Sequence, residues 1–266
     1  MFATSQPSGR TNIQKREVLH DALHTLLLPV RDEENATRSI AIRLADCEGQ
    51  RSNASMLINR RYVQRGYGTN HKVPTAPNCV TFTASSENNV IGTLSLTVDS
   101  PAGLALDRTF KAELDEIRKQ PGVTICELTK FAVDSSESSL KLLASLFHII
   151  YIFGTCKFGG TDLFIEVNPR HRRFYEAMLG FKRVGSVKTN EAVGAPAQLL
   201  WLKATDIRRH IDDHSGKQNA ASHSLYPYFF SPKEERGIFA RLMNEVEGLS
   251  LSMFDRMPAS RALATH

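Results

Sequence analysis

The sequence predicts a mixed α/β protein built on one sheet, and three observations carry that prediction. Strand-like and helix-like segments follow one another in the order β-α-β-β-α-β-α-β-α-β-β. At the centre, a strand–helix–strand unit encloses a helix that is apolar almost all round, the pattern of a crossover buried against a sheet. The composition is globular: of 266 residues, 41% are hydrophobic and 23% charged, with 16 Gly and 11 Pro. Those values exclude the disordered, collagenous and coiled-coil classes, and a chain this long can bury a sizeable core without disulfides.

Each element has a local reason. Ile13, Val18, Leu19, Leu23, Leu26 and Leu27 recur at helical spacing before Pro29, which predicts a helix over Ile13–Leu28. Ser39 to Asp46 reads as a strand. Ser52 to Tyr67 reads as a helix capped by Ser52 or Asn53, with Ala54, Leu57, Ile58, Arg61 and Tyr62 on one face. Asn78 to Ser100 alternates around the turn residues SSENN and predicts a hairpin. Leu104 to Gly122 is an amphipathic helix stopped by Pro121-Gly122. Val123 to Asp134 is a strand, Ser138 to Gly160 the buried helix and Thr161 to Val167 the strand after it. Asn168 to Phe181 is a helix with Asn168 as N-cap, Pro169 at its first position and Gly180 just past its end. Gly180 to Lys188 and Pro196 to Ala204 form a closing strand pair. Beyond it a polar stretch and a helical pattern make a C-terminal extension. The chain thus divides into an N-terminal helical extension (1–38), a central domain (39–205) and a C-terminal helical extension (206–266).

Charge and cysteine usage narrow the class further. The net charge is +5, and between Asn168 and Asn190 six basic residues face one acid. A local excess of that sign suits an anionic partner. Aromatic–basic interleaving is confined to one helix, so nucleic acid is not expected. Cys47, Cys79, Cys126 and Cys156 have no metal-ligand spacing, and the histidine pairs His20/His24 and His210/His214 lack a third ligand, so neither a metal nor a disulfide framework is expected. The most apolar stretch, Leu142–Cys156, is shorter than a membrane span and contains His148. With no signal-peptide pattern at the start, a soluble cytoplasmic protein without an integral membrane segment is expected.

The most specific segment is NPRHRRFYEAMLGF. His171, Phe174, Tyr175 and Met178 fall on one side of that helix. The segment resembles the last motif of the GNAT N-acyltransferase superfamily, in which Asn168, Phe174, Tyr175, Gly180 and Phe181 match and the FY-to-GF distance is one residue longer than usual. ELTKF followed by VD resembles the acyl-homoserine-lactone synthases, with Lys130 where those enzymes carry arginine. Four segments in order, IRLA (Ile42 to Ala45), RRYVQRGY (Arg60 to Tyr67), ELTKFAVD (Glu127 to Asp134) and HRRFYEAMLGFKRVG (His171 to Gly185), resemble long-chain N-acyl amino acid synthases of the FeeM type over residues 39–205.

The resemblance implies a GNAT fold with helical extensions, and transfer of a long acyl chain from acyl carrier protein to an amino acid. Acyl-phosphopantetheine is then the donor, and no cofactor is bound. Glu127 becomes the candidate base and Tyr175 the donor of a proton to the departing thiolate. Backbone N–H groups at Phe131, Ala132 and Val133 become the oxyanion and pantetheine contacts. Lys130, Ser135, Ser136, Arg60, Arg61, Arg170, His171, Arg172 and Arg173 become candidates for the carrier protein and its phosphate. Usual GNAT enzymes hold a pyrophosphate at a Gly- and Arg-rich loop where this chain has DSSESS, which disfavours coenzyme A. Strict alternation puts Glu127 and Lys130 on opposite faces, so a shared pocket requires a β-bulge. The alternatives are a lactone synthase using S-adenosylmethionine, a catalytically silent GNAT scaffold that binds an acidic protein, and an acetyl-coenzyme A-dependent acetyltransferase.

Overall fold

The computed structural model describes residues 26–31, 37–87, 89–136, 139–217 and 223–241. Its strands are β1 (Leu26–Arg31), β2 (Thr37–Leu44), β3 (Cys79–Ser86), β4 (Asn89–Val98), β5 (Ile125–Val133), β6 (Asp162–Val167), β7 (Lys182–Asn190) and β8 (Ala195–Lys203). They form one sheet in the order β1-β2-β3-β4-β5-β6-β8-β7. Every neighbouring pair is antiparallel except β5 and β6, which run parallel. The N-terminal expectation needs correction. Leu26 to Leu28 belong to edge strand β1, which pairs with β2 and tolerates Pro29 because an edge position need not donate to a ladder. The rest of the expected helix, 13–25, lies outside the described residues.

The helices are α1 (Glu48–Val63), α2 (Asp107–Arg118), α3 (Leu140–Phe158), α4 (Arg172–Leu179), α5 (Ala204–His214) and α6 (232–241). Helix α1 starts a turn before the expected Ser52 or Asn53 cap, after Cys47 and with no side-chain cap. Its first turn is polar, so hydrophobic spacing gave no sign of it. Ser139 caps α3 by accepting the Leu142 N–H, and Gly159 ends it at φ +65°. Asn168 accepts the Arg170 N–H, but Pro169–His171 make a 3-10 turn before α4 proper begins. Helix α3 is 19 residues long and apolar enough to cross a membrane, yet about two thirds of it is buried inside the protein. It is the core helix.

The two faces of the sheet differ in chemistry. On one face Phe82, Leu94, Leu96, Cys126, Leu128, Ile165 and Leu200 pack under α3 in the main core. On the other, two apolar pads lie apart: α2 with Ile125, Phe164 and Leu199, and α1 with Ala132. The strand alternation that sends Phe82, Leu94, Leu96 and Leu128 to the first face sends Thr81, Ser95, Thr97, Glu127 and Thr129 to the second. Thr81 and Ser95 are buried there and bond each other at 2.6 Å.

The segment after β8 completes the main core. Ile207, Ile211, Leu225, Tyr226, Phe229, Phe230 and Ile238 are buried in it. His148 of α3 is fully buried, stacks on the Phe229 and Phe230 rings and accepts the Phe230 N–H at Nδ1. Tyr226 donates its hydroxyl to the Leu179 carbonyl, and the Leu225 N–H bonds the Met178 carbonyl. The C-terminal segment therefore grips the end of α4, the helix that carries Tyr175.

A second clamp sits on the opposite face. Arg118 bonds Asp99 at 2.7 Å and Asp107 at 2.6 and 2.8 Å, and Asp107 in turn accepts the Leu104 N–H at 2.7 Å. These bonds fix the loop between β4 and α2, whose Ala105 N–H faces Glu127. Hydrogen bonding to Arg118 holds the Asp107 carboxyl below the usual carboxylate range, against the upward pull of burial. A carboxyl lowered in the folded state contributes stability above its unfolded pKa and loses it as pH falls through the folded pKa. We therefore expect Arg118→Met to cost about 2 kcal/mol in urea melts at pH 7, because two half-buried carboxylates lose their partner. That difference from wild type should shrink as pH falls below the ordinary aspartate range.

Candidate active site

Strands β5 and β6 pair only from Ile125↔Asp162 to Leu128↔Ile165. Both continue beyond that point, to Val133 and Val167, without pairing with each other. A cavity of about 620 Å³ opens where they part. Its walls come from both faces of the sheet. Leu94, Leu128, Phe131, Val133, Leu143, Phe147, Ile165 and Phe174 line it from the core side, and Ala105, Glu127, Thr129 and Glu166 from the other. The cavity thus runs through the sheet, apolar at one end and polar at the other. Among the described residues, none beyond Pro196 lines it.

Glu127 lies at the throat and is 3% exposed. Its Oε2 accepts the Ala105 N–H at 2.8 Å. Burial pushes its carboxyl up to about 7, against the opposing bonds from the Ala105 and Leu106 backbone, and the charge of Glu166 adds to the rise. At neutral pH the group is therefore poised to take a proton.

The required bulge is present. On β4 the step from Ser95 to Thr93 spans two residues, while on β5 the matching step from Thr129 to Ala132 spans three. Lys130 absorbs the extra residue at φ +54°, a left-handed conformation uncommon for a side chain of its kind. Thr93 steadies it by donating its hydroxyl to the Lys130 carbonyl at 2.6 Å. Both Glu127 and Lys130 then line the cavity. Lys130 was expected with the phosphate group, yet its charge acts on Glu127 and Cys79, whereas Asp134 feels Arg60 and Arg61.

The three expected backbone contacts separate. Ala132 turns its side chain into the pad beneath α1, and it faces Thr93 across the β4 ladder. Phe131 and Val133 line the cavity. Because the Asp134 N–H bonds Ile91 on β4, strand alternation directs the N–H groups of Phe131 and Val133 to the open side, where β6 has departed.

Tyr175 lines the cavity from α4. Its ring packs edge-on against Phe174 and Phe181, and its hydroxyl makes no hydrogen bond among the described residues. Burial, together with the neighbouring Tyr62, drives the phenol well above its ordinary value, although Arg65 pulls the other way. Tyr62, Arg65, Tyr67 and His71 join the wall at this end, with Tyr62 edge-on to both Tyr67 and His71. None of these four is among the site residues expected from the sequence. The alternation of arginine and tyrosine at the end of α1 was the available signal.

At the end of β5 Arg61 donates to Ser135 at 3.3 Å, and both line the cavity. Arg60 pairs with Asp134, and the Ser136 hydroxyl bonds the same carboxylate at 3.1 Å, so Arg60 and Ser136 are already engaged. The basic segment is not one open patch. Arg172 and Arg183 pair with Glu176, Lys182 with Asp206 and Lys188 with Glu113. Arg170 reaches the Arg65 carbonyl and Tyr67 and donates to His171 at 3.0 Å. His171 lines the cavity and is held toward its neutral form by burial and by the charges of Arg65 and Arg170. Arg173 is exposed with no acidic partner among the described residues. Among those residues, no group of three or more His, Cys, Asp and Glu side chains stands together as a metal site would require.

The family model of the N-acyl amino acid synthase FeeM matches residues 53–203, more than half the chain. The structure of FeeM, an N-acyl amino acid synthase from uncultured soil microbes, is 26% identical and covers 65% of this chain and 96% of its own at a TM-score of 0.60. More distant are Escherichia coli ElaA, at 11% identity, 61% and 98% coverage and a TM-score of 0.45, and the AHL synthase LasI, at 13%, 63% and 91%, and 0.43. No curated protein matches the sequence. The chain belongs to the FeeM family of N-acyl amino acid synthases, acyltransferases on the GNAT fold.

Proposed function

We propose that this N-acyltransferase moves a long-chain acyl group from acyl carrier protein to the amino group of an amino acid. The observation that carries the reading is the cavity through the sheet, with one buried acid and one phenol on its wall. The thioester arm enters between β5 and β6 from the core face, and its acyl chain lies against Leu143, Phe147 and Phe174. The amine approaches from the polar face. Two features favour a donor with a single phosphate over coenzyme A. Asp134 stands at the loop after β5, and the N-terminus of α3 is already capped by Ser139. Arg61 and Ser135 are then the phosphate contacts, with Arg170, His171 and Arg173 near the mouth facing the acidic carrier protein. Four free thiols and the buried α3 are in keeping with a soluble enzyme of the cytoplasm.

The chemistry follows from the side chains. Glu127, directly or through a water, takes a proton from the ammonium. The freed amine attacks the thioester carbonyl, the N–H of Phe131 beside the bulge stabilises the oxyanion, and the N–H of Val133, one pleat further along, is left for the pantetheine arm. Collapse expels the thiolate, to which Tyr175 donates its proton. Its raised pKa keeps the phenol protonated until that moment. The nitrogen sheds a second proton on becoming an amide, which balances the proton the thiolate takes up.

Product identity, pH dependence, variant kinetics and stability each test this. Incubation with acyl carrier proteins of several chain lengths and a panel of amino acids, read by mass spectrometry, should yield N-acyl amino acids. Release of a lactone from S-adenosylmethionine, or tight carrier binding with no product, would instead favour the lactone-synthase or silent-scaffold alternative. In wild type kcat/KM should climb with pH and level off above about 7, because Glu127 acts only when ionised. Glu127→Gln should abolish that limb and lower kcat by about 10²-fold or more, and Tyr175→Phe should lower kcat by about 10²-fold with little change in KM. A carboxyl raised in the folded state favours folding while protonated and loses that contribution as pH rises through its folded pKa. Glu127→Gln should therefore unfold later than wild type at pH 8, by on the order of 1–3 kcal/mol, as it loses activity.

A further inference from the structure

Lys130 is a cavity residue that the proposed chemistry leaves without a role. It carries two penalties at once. Its backbone is in the left-handed region at φ +54°, which a lysine adopts only when its surroundings impose it. Its ammonium is half-buried, and burial draws its pKa down, with no carboxylate within ion-pair distance among the described residues. Of the other cations at the site, Arg61 bonds Ser135 and Gln64, Arg60 pairs with Asp134, and Arg65, unlike Lys130, is exposed to water. A half-buried cation without a counter-ion is unfavourable, and an anion arriving beside it offsets that cost.

The position narrows the choice of anion. Lys130 acts on Glu127 and Cys79, on the polar face of the sheet, whereas Arg61 and Ser135 stand at the far end of β5. A donor phosphate at that far end does not neutralise Lys130. Glu127 and Lys130 are three residues apart on one strand and turned into one cavity by the bulge. They present a carboxylate and an ammonium to one cavity without pairing with each other. An α-amino acid presents the complementary pair, an amine and a carboxylate on one carbon.

We propose that Lys130 binds the α-carboxylate of the acceptor, so that the enzyme selects amines bearing an adjacent carboxylate and delivers their nitrogen to Glu127. This rests on the acyltransfer reading above and adds a specificity-determining residue to it. The bulge then has a purpose, since it brings the selecting cation onto the same wall as the base.

Initial rates with one acyl carrier protein donor test the assignment. The acceptors are the best amino acid of the panel, its decarboxylated amine and its carboxamide. Wild type should prefer the amino acid over both neutral analogues by about 10–100-fold in kcat/KM, carried by KM, as expected for a hydrogen bond between charged groups. Lys130→Asn keeps a residue that tolerates the left-handed conformation and should bring the preference near unity. Lys130→Arg should restore most of it. Lys130→Gly, which relieves the backbone, serves as a second neutral variant should the asparagine protein fail to fold. If wild type acylates the decarboxylated amine as readily as the amino acid, or the neutral variants keep the preference, the assignment of Lys130 is wrong while acyltransfer stands. If wild type acylates no amine at all, the acyltransfer reading fails and takes this one with it.

Discussion

The parting of β5 and β6 after Leu128 and Ile165 is the constraint on which the site depends. A sheet zipped to its end has no interior opening, and its N–H groups are all taken by neighbouring strands. Here the ladder stops after four residue pairs, and the freed length of both strands becomes cavity wall. The apolar face and the polar face then meet at one opening. The proposed substrates, a long acyl chain and a charged amine, have opposite solvation needs, and in the proposed reaction each approaches such an opening from the side that suits it. The bulge at Lys130 belongs to the same device, because it turns β5 away from its regular register on the β4 side while β6 leaves on the other.

The site is held from two directions. Arg118 and its aspartates fix the loop that offers the Ala105 N–H to Glu127, and the C-terminal segment holds the end of α4 through Tyr226 and Leu225. Both clamps fasten to rigid elements, so acid and phenol sit on supports that do not depend on a bound substrate. The site also carries local conflict. A carboxyl 3% exposed, a phenol driven up by burial and a lysine in a left-handed conformation are each unfavourable alone. All three gather around one cavity.

Much of this architecture is legible in the residues. The central unit β5-α3-β6 stands out because α3 is apolar all round, and the Asn168 cap with Gly180 bounds the Tyr175 helix closely, though with a 3-10 first turn. What escaped sequence analysis has physical causes. Leu26 to Leu28 suit either period until β2 supplies a partner. The first turn of α1 is polar and leaves no hydrophobic trace. The C-terminal segment reads as an extension because its apolar residues are spaced by polar stretches, yet they complete the core around His148. The basic run from Arg170 to Lys188 suggests one charged face, but Glu176, Asp206 and Glu113, two of them remote in sequence, pair with most of it. Glu127 and Tyr175 could be named from motifs. That Lys130 turns in beside Glu127 depends on a register slip that spacing alone does not reveal.

The open edge of β5 can be examined most directly by amide hydrogen exchange, residue by residue, with and without a carrier protein bearing a non-hydrolysable acyl-pantetheine analogue. If the arm threads the gap, the N–H groups of Phe131 and Val133 exchange readily in the free protein and become protected on binding, while Ala132 and Asp134, directed toward β4, change little. Protection of Phe131 and Val133 already present in the free protein, or binding that leaves both unchanged, would contradict the account.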